Sequence, residues 1–229
     1  MNNQCLKRFF LSVEQMNFLS SPNTFYKTIL SLIEKATKRI TITSLYLGTG
    51  KLESTLVNKL YSKTREKDIK LTIIMDKNRC ERKEKGRNSL DLLLPLKNNL
   101  YLYNNPNFSS FPFNKHIPNI FKELFGVFHT KMIIPDNDII LTGANLSNSY
   151  FTTRKDRYLY IKNSPMLANY LSQYANDIKS INFSQNAKEY IRNHHNILKQ
   201  YNCNTKQNIK QLIDSVPNDK ILLIPTVRI

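Results

Sequence analysis

His129, Lys131 and Asp136 stand in HTKMIIPD, an H-x-K-x-x-x-x-D pattern near the middle of the chain. Nine residues past Asp136 comes Asn145, and eleven past that comes Asp156, in the run GANLSNSYFTTRKDRYLYI. These side chains supply what phosphoryl transfer needs when no metal takes part. A neutral imidazole attacks phosphorus and forms a covalent phospho-histidine. An ammonium and a carboxamide hold the non-bridging oxygens as charge develops on them. A carboxylate on the second ring nitrogen fixes the imidazole tautomer, and Asp156 is the candidate for that place. His129, Lys131 and Asp136 form the candidate catalytic set. Within it, Asp136 falls in a turn and is expected to hold that turn or an ion pair, with no acid-base work. No carboxylate cluster with D-x-x-D spacing offers a Mg²⁺ site, so the expected chemistry calls on neither metal nor cofactor. A short pattern of this kind arises by chance, and a strand histidine is commonly a hydrogen-bonded core residue. The added Gly143, Asn145 and Asp156 in strand–turn–strand context favour catalysis.

The elements that must position these groups follow from periodicity. Apolar residues at helical spacing predict a helix over residues 23–38, capped by Asn23, and a second over 52–64. β-branched alternation predicts strands over 40–47 and 69–76, and a further strand over 100–103 follows a short helix over 90–96. Strand, helix, strand, helix, strand implies an α/β layer with parallel pairing. A basic loop intervenes after residue 76, with Arg79, Arg82 and Arg87 as candidate phosphate ligands, since guanidinium matches phosphate geometry. Residues 104–125 read as an insertion loop whose Phe108, Phe111 and Phe113 are expected to pack. Strands over 128–134 and 138–142, joined through Pro135, Asp136 and Asn137, make an antiparallel hairpin. Period two then puts His129 and Lys131 on one face with Thr130 opposite. Another strand covers 158–161, and helices are predicted over 165–179, 186–201 and 206–214. The closing KILLIPTVRI is a β-like apolar run, so a second half is expected to follow. The division is an extension over 1–22, a catalytic domain over 23–180, and a helical segment over 181–229 that begins the missing half.

Charge and cysteines narrow the class. Thirty-four Lys and Arg against seventeen Asp and Glu leave +17. That field favours anionic partners such as nucleic acid, anionic lipid surfaces or phosphorylated substrates. Solvated lysine is structurally cheap, so charge alone does not choose among them. No run of 18 apolar residues exists to span a bilayer. Cys5, Cys80 and Cys203 are odd in number and far apart, which fits a reducing compartment and no zinc site. Lys7 and Arg8 beside Phe9, Phe10 and Leu11 make only a weak, short presequence pattern, interrupted by Glu14.

The HKD triplet, the Gly/Asn segment and the later acidic residue resemble the phospholipase D superfamily. SLYLGTGKLE (44–53), DKNRCERKEKGRNSLDLLLPL (76–96) and above all ILTGANLSNSYFTTRKDRYLYI (140–161) resemble its phosphatidylglycerophosphate synthase family, specifically the amino-terminal half. The resemblance implies a phospholipase D-like α/β fold: a mixed sheet flanked by helices, one HKD half, and a helical C-terminal segment. It implies His129 as the nucleophile that takes a phosphatidyl group from CDP-diacylglycerol, releases CMP, and hands the group to glycerol-3-phosphate. Lys131, Asn145 and Asp156 fall at the family's phosphate-binding and His-orienting places. The implied setting is mitochondrial, peripheral on an anionic inner-membrane surface, which argues against nucleic acid as partner. Two departures stand out. Gly143 replaces a Ser frequent two residues before the Asn, and only one HKD set is present where the family has two. His116, His194 and His195 lack a lysine at the right spacing. The missing general acid implies a second HKD half or a second copy. The alternatives are a single-HKD homodimeric phosphodiesterase or nuclease, or an inactive lipid-binding remnant.

Overall fold

The computed structural model describes residues 8–66, 69–84, 86–104, 128–180, 192–193, 195–197, 216–217 and 219–223. In chain order the elements are β1 (Phe9–Ser12), β2 (Met16–Phe18), α1 (Pro22–Lys35), β3 (Arg39–Ser44), α2 (Lys51–Thr64) and β4 (Lys70–Asp76). They continue as α3 (Lys77–Glu81), α4 (Ser89–Leu93), β5 (Leu100–Tyr103), β6 (Met132–Pro135) and β7 (Ile139–Thr142). Then come α5 (Asn148–Thr152), β8 (Tyr158–Ile161), α6 (Pro165–Ser180) and β9 (Lys220–Leu223).

Seven strands form one mixed sheet in the order β2-β8-β7-β6-β3-β4-β5. β3, β4 and β5 run parallel, as the alternation of strands and helices predicts. β6 returns antiparallel beside β3, and β6, β7 and β8 form an antiparallel meander. The sheet is buried on both faces, and strand periodicity sorts its side chains. Ile73, Met75 and Ile133 join the cluster under α1 and α2, while Ile74, Met132 and Ile134 join the one under α6. Burying an aliphatic side chain of this size contributes about 1.5–3 kcal/mol. The mixed α/β architecture with flanking helices is the one the sequence implies.

Several boundaries differ from expectation. Ser21, not Asn23, caps α1: its hydroxyl accepts from Thr24 N–H at 3.1 Å, and Pro22, which has no N–H to satisfy, takes the first helical position. The sheet starts before residue 23, because β2 pairs antiparallel with β8. The basic stretch after β4 opens as α3, whose cap is the Asp76 carboxylate. The 128–134 strand is shorter at its start, since β6 begins at Met132. The 104–125 loop with its three phenylalanines lies outside the described residues, apart from Asn104. The helices over 186–201 and 206–214 fall almost wholly outside them. β9, from the closing apolar run, pairs antiparallel with β1.

Candidate active site

The antiparallel return of β6 brings distant segments to one end of the strands. Thr43 near the end of β3 pairs with Met132 at the start of β6, and Thr142 at the end of β7 pairs with Tyr158 at the start of β8. His129, Lys131, Asn145 and Asp156 therefore all lie just beyond the same end of the strands.

The segment carrying the imidazole is pinned at both ends. Asp76, buried at the end of β4, accepts from Phe128 N–H at 3.0 Å through Oδ2 and from Arg79 N–H at 3.0 Å through Oδ1. Further along, Met132 N–H donates to the Thr43 hydroxyl at 3.2 Å. His129, Thr130 and Lys131 bridge the gap just ahead of β6. Thr130 Oγ1 lies 3.4 Å from the hydroxyl of Tyr174 on α6. Lys131 is buried and turns back to donate from Nζ to the His129 carbonyl at 3.0 Å.

Lys131 is buried and His129 is exposed, yet desolvation acts on both. Desolvation pushes the Lys131 ammonium down to about 8, partly opposed by the charge of Asp156. Desolvation, then the charge of Lys131, holds His129 below its ordinary value of 6.5. The shift favours the neutral imidazole, beside an ammonium that still carries most of its charge at pH 7.

Asn145 is held by the loop between β7 and α5. Ala144 N–H donates to the Thr142 hydroxyl at 3.0 Å, Ser147 N–H to the Asn145 carbonyl at 3.0 Å, and Gly48 N–H to the Leu146 carbonyl at 2.8 Å. The side-chain Oδ1 of Asn145 is buried and makes no hydrogen bond. Such an atom is costly to leave unpaired unless a ligand or solvent group completes it. An aromatic cluster fixes the loop from below. Phe25 of α1 stacks on Tyr158 at 4.4 Å between centroids, and Tyr26 packs on Phe151 at 4.7 Å.

Asp156 does not reach the imidazole: no hydrogen bond joins it to His129 among the described residues. Its Oδ1 accepts from Arg157 N–H at 2.6 Å, and the carboxylate packs against Gly143. Its influence falls on Lys131 instead. Asp136 sits at the hairpin turn with φ 52°, outside the group that meets at the site. Its carboxylate accepts from Thr37 N–H at 2.8 Å, from the N–H groups of Lys38 and Arg39 at 2.9 Å each, and from the Thr37 hydroxyl at 3.1 Å. Burial acts to raise its pKa, yet these donors outweigh that and hold it below the ordinary aspartate value.

The three candidate arginines separate. The Arg79 guanidinium covers the Tyr46 ring at 4.9 Å, and Arg82 is exposed. Arg87 lines a cleft of about 620 Å³ with Gly48, Glu53, Ser147 and Ser149. Sequence reasoning missed two buried carboxylates, Asp76 and Glu53. Glu53 accepts from Asn148 N–H and packs on Gly48 and Gly50. Two glycines followed three residues later by a glutamate was the available signal. Among the described residues no group of three or more His, Cys, Asp or Glu stands close enough to hold a metal ion. No helix among them is long and apolar enough to cross a membrane.

A mixed α/β sheet carrying an H-x-K-x-x-x-x-D set, its His and Lys ahead of β6 and its Asp in the turn after it, defines the phospholipase D-like class, and the sequence matches the family model described as "Cardiolipin synthase, PLD-like domain" over residues 29–181. The chain belongs to that family. It is 34% identical over 186 residues to a Cricetulus griseus protein named CDP-diacylglycerol–glycerol-3-phosphate 3-phosphatidyltransferase, mitochondrial, covering 76% of this chain and 33% of that protein. The Gallus gallus protein of the same name is 31% identical over 236 residues, covering 94% of this chain and 42% of that one. The chain thus spans well under half the length of these curated relatives. Among solved structures, the phosphatidylserine synthase of Haemophilus influenzae Rd KW20 superposes with a TM-score of 0.66 at 22% identity, covering 90% of this chain and 47% of that one. At that identity the likeness speaks for the fold.

Proposed function

We propose that this chain supplies the nucleophilic half of a CDP-diacylglycerol–glycerol-3-phosphate 3-phosphatidyltransferase. In the first step an imidazole nitrogen of His129 bonds to the phosphatidyl phosphorus of CDP-diacylglycerol. The bond from that phosphorus to the CMP oxygen breaks, and CMP departs with the electron pair. In the second step a hydroxyl of glycerol-3-phosphate attacks the same phosphorus. The phosphorus–nitrogen bond breaks, a base takes the hydroxyl proton, and phosphatidylglycerophosphate leaves. Lys131 and the Asn145 carboxamide N–H groups hold the non-bridging oxygens in both steps. Asp156 sustains the Lys131 charge, and Asp136 holds the hairpin.

The observation that carries this reading is the grouping, at one end of the strands, of an exposed imidazole whose pKa is lowered, a buried ammonium and a buried Asn145. The names of the relatives supply the substrates. A second histidine, from another HKD half or a second copy, would protonate the leaving group and accept the proton in turn. The lipid substrate and the charge of +17 support peripheral placement on an anionic membrane, and the relatives' names support a mitochondrial one. The experiment is incubation with CDP-diacylglycerol, with and without glycerol-3-phosphate, following CMP. CMP release that His129→Ala abolishes is the expected result. Release that His129→Ala leaves unchanged overturns the proposal.

A further inference from the structure

We infer that the cleft bounded by Tyr46, Gly48, Glu53, Arg87, Ser147 and Ser149 is a subsite for a small phosphorylated polyol, the acceptor of the transfer reaction. The inference rests on the proposed function and assigns the acceptor a place in it.

The cleft is built, and its chemistry is mixed. A tight turn presents Arg87: Glu84 N–H donates to the Arg87 carbonyl at 2.7 Å, Arg87 N–H to the Glu84 carbonyl at 3.1 Å, and Gly86 between them takes φ 82°. Only glycine adopts that conformation without strain. The Arg87 guanidinium makes no ion pair among the described residues, although two carboxylates, Glu53 and Glu84, line the same cleft. Glu53 is 1% exposed, and its Oε2 is buried without a hydrogen-bond partner. The hydroxyls of Ser147 and Ser149 lie 3.3 Å apart on the same wall.

This lining discriminates by charge. A site for a pyrophosphate would gather cations, and two carboxylates would oppose it. A ligand that joins one phosphate to free hydroxyls fits both halves: Arg87 binds the phosphate in its planar fork, and Glu53, Glu84 and the serines accept or share the hydroxyl protons. The cleft is also coupled to the site. Leu47 bridges to Leu146, and Ser147 N–H donates to the Asn145 carbonyl at 3.0 Å. A polyol held there waits two residues from the carboxamide assigned to the transferred phosphate.

Calorimetric titration of the full chain tests this with glycerol 3-phosphate, inorganic phosphate, glycerol and CMP as separate probes. Glycerol 3-phosphate should bind about tenfold or more tighter than inorganic phosphate, and Arg87→Ala should weaken it about tenfold. Lys83→Ala, which removes an exposed cation nearby, should not. Glu53→Gln should erase the preference over inorganic phosphate; if that variant misfolds, Ser149→Ala reads the same preference. Glycerol 3-phosphate binding no tighter than inorganic phosphate, indifference to Arg87→Ala, or CMP that competes with glycerol 3-phosphate for the Arg87 cleft each overturns the inference. His129→Ala should leave the binding intact. An adduct on His129 without acceptor binding sinks this inference alone, whereas binding without an adduct supports it and sinks the proposed chemistry.

Discussion

The Asp156 carboxylate lies so close to Gly143 that a Cβ at position 143 would stand 2.5 Å from Oδ1. A serine, frequent at that place in the superfamily, therefore has no room while Asp156 keeps its position. The glycine and the inward carboxylate belong together, and the pair acts on Lys131, whose charge Asp156 supports.

Gly143→Ala should displace the Asp156 side chain, since a carboxylate end moves more easily than backbone. With that support gone, Lys131 should titrate below its present value of about 8. Folding should change by less than about 1 kcal/mol, because the atom that must move is the end of a side chain. NMR titration of the Lys131 ammonium checks this; an unchanged midpoint would separate Asp156 from Lys131.

Transfer should follow a bell-shaped pH profile. The acid limb reports loss of the neutral imidazole and lies below pH 6.5, because the His129 pKa is lowered. The alkaline limb reports loss of the Lys131 charge near pH 8. In Lys131→Arg the alkaline limb should disappear, since guanidinium stays charged throughout. An alkaline limb that survives in that variant assigns it to another group.

A buried ammonium costs stability, which under the proposed role makes Lys131 a compromise between stability and function. Its folded pKa is depressed, so the cost is complete below about pH 8 and fades as pH rises toward the ordinary 10.5. Lys131→Met should gain on the order of 1 kcal/mol at pH 7 after the lost hydrogen bond to the His129 carbonyl is counted. That gain should shrink between pH 8 and 10.5. Denaturant midpoints across that range decide it, and a variant less stable than wild type at pH 7 refutes it.

The aspartate of the H-x-K-x-x-x-x-D set holds structure. Asp136→Ala removes an acceptor of four hydrogen bonds at a residue with φ 52°. It should cost about 2–4 kcal/mol. Asp136→Asn should cost less, since asparagine tolerates that backbone and keeps one acceptor oxygen. Because the pKa is lowered in the fold, the contribution is present above the ordinary 3.8 and fades as pH falls through the lower folded value. Equal unfolding midpoints for the two variants would contradict this role.

Much of the fold was legible because its signals are local. Strands 100–103 and 158–161 appear with the bounds that apolar alternation predicts, and the Pro135, Asp136, Asn137 turn makes the expected hairpin. α3 was hidden because its charged residues carry no apolar period, and β2 is too short to show one. At the candidate site, residue types and spacing singled out His129, Lys131 and Asn145. Glu53 and Asp76 were not disclosed, since each is fixed by a backbone N–H remote in sequence, 95 and 52 residues away. The placing of Asp156 beside Lys131, and not on the imidazole, depends on how β7 and β8 end side by side, which spacing alone does not encode.

The central claim is a covalent bond between His129 and phosphorus. The most direct measurement is mass spectrometry of the chain after single-turnover exposure to CDP-diacylglycerol and alkaline denaturing quench, which preserves a phosphorus–nitrogen bond. A phosphatidyl mass on the peptide carrying His129, absent in His129→Ala and discharged by glycerol 3-phosphate, is the predicted result. Release of CMP with no adduct on that peptide would contradict the account.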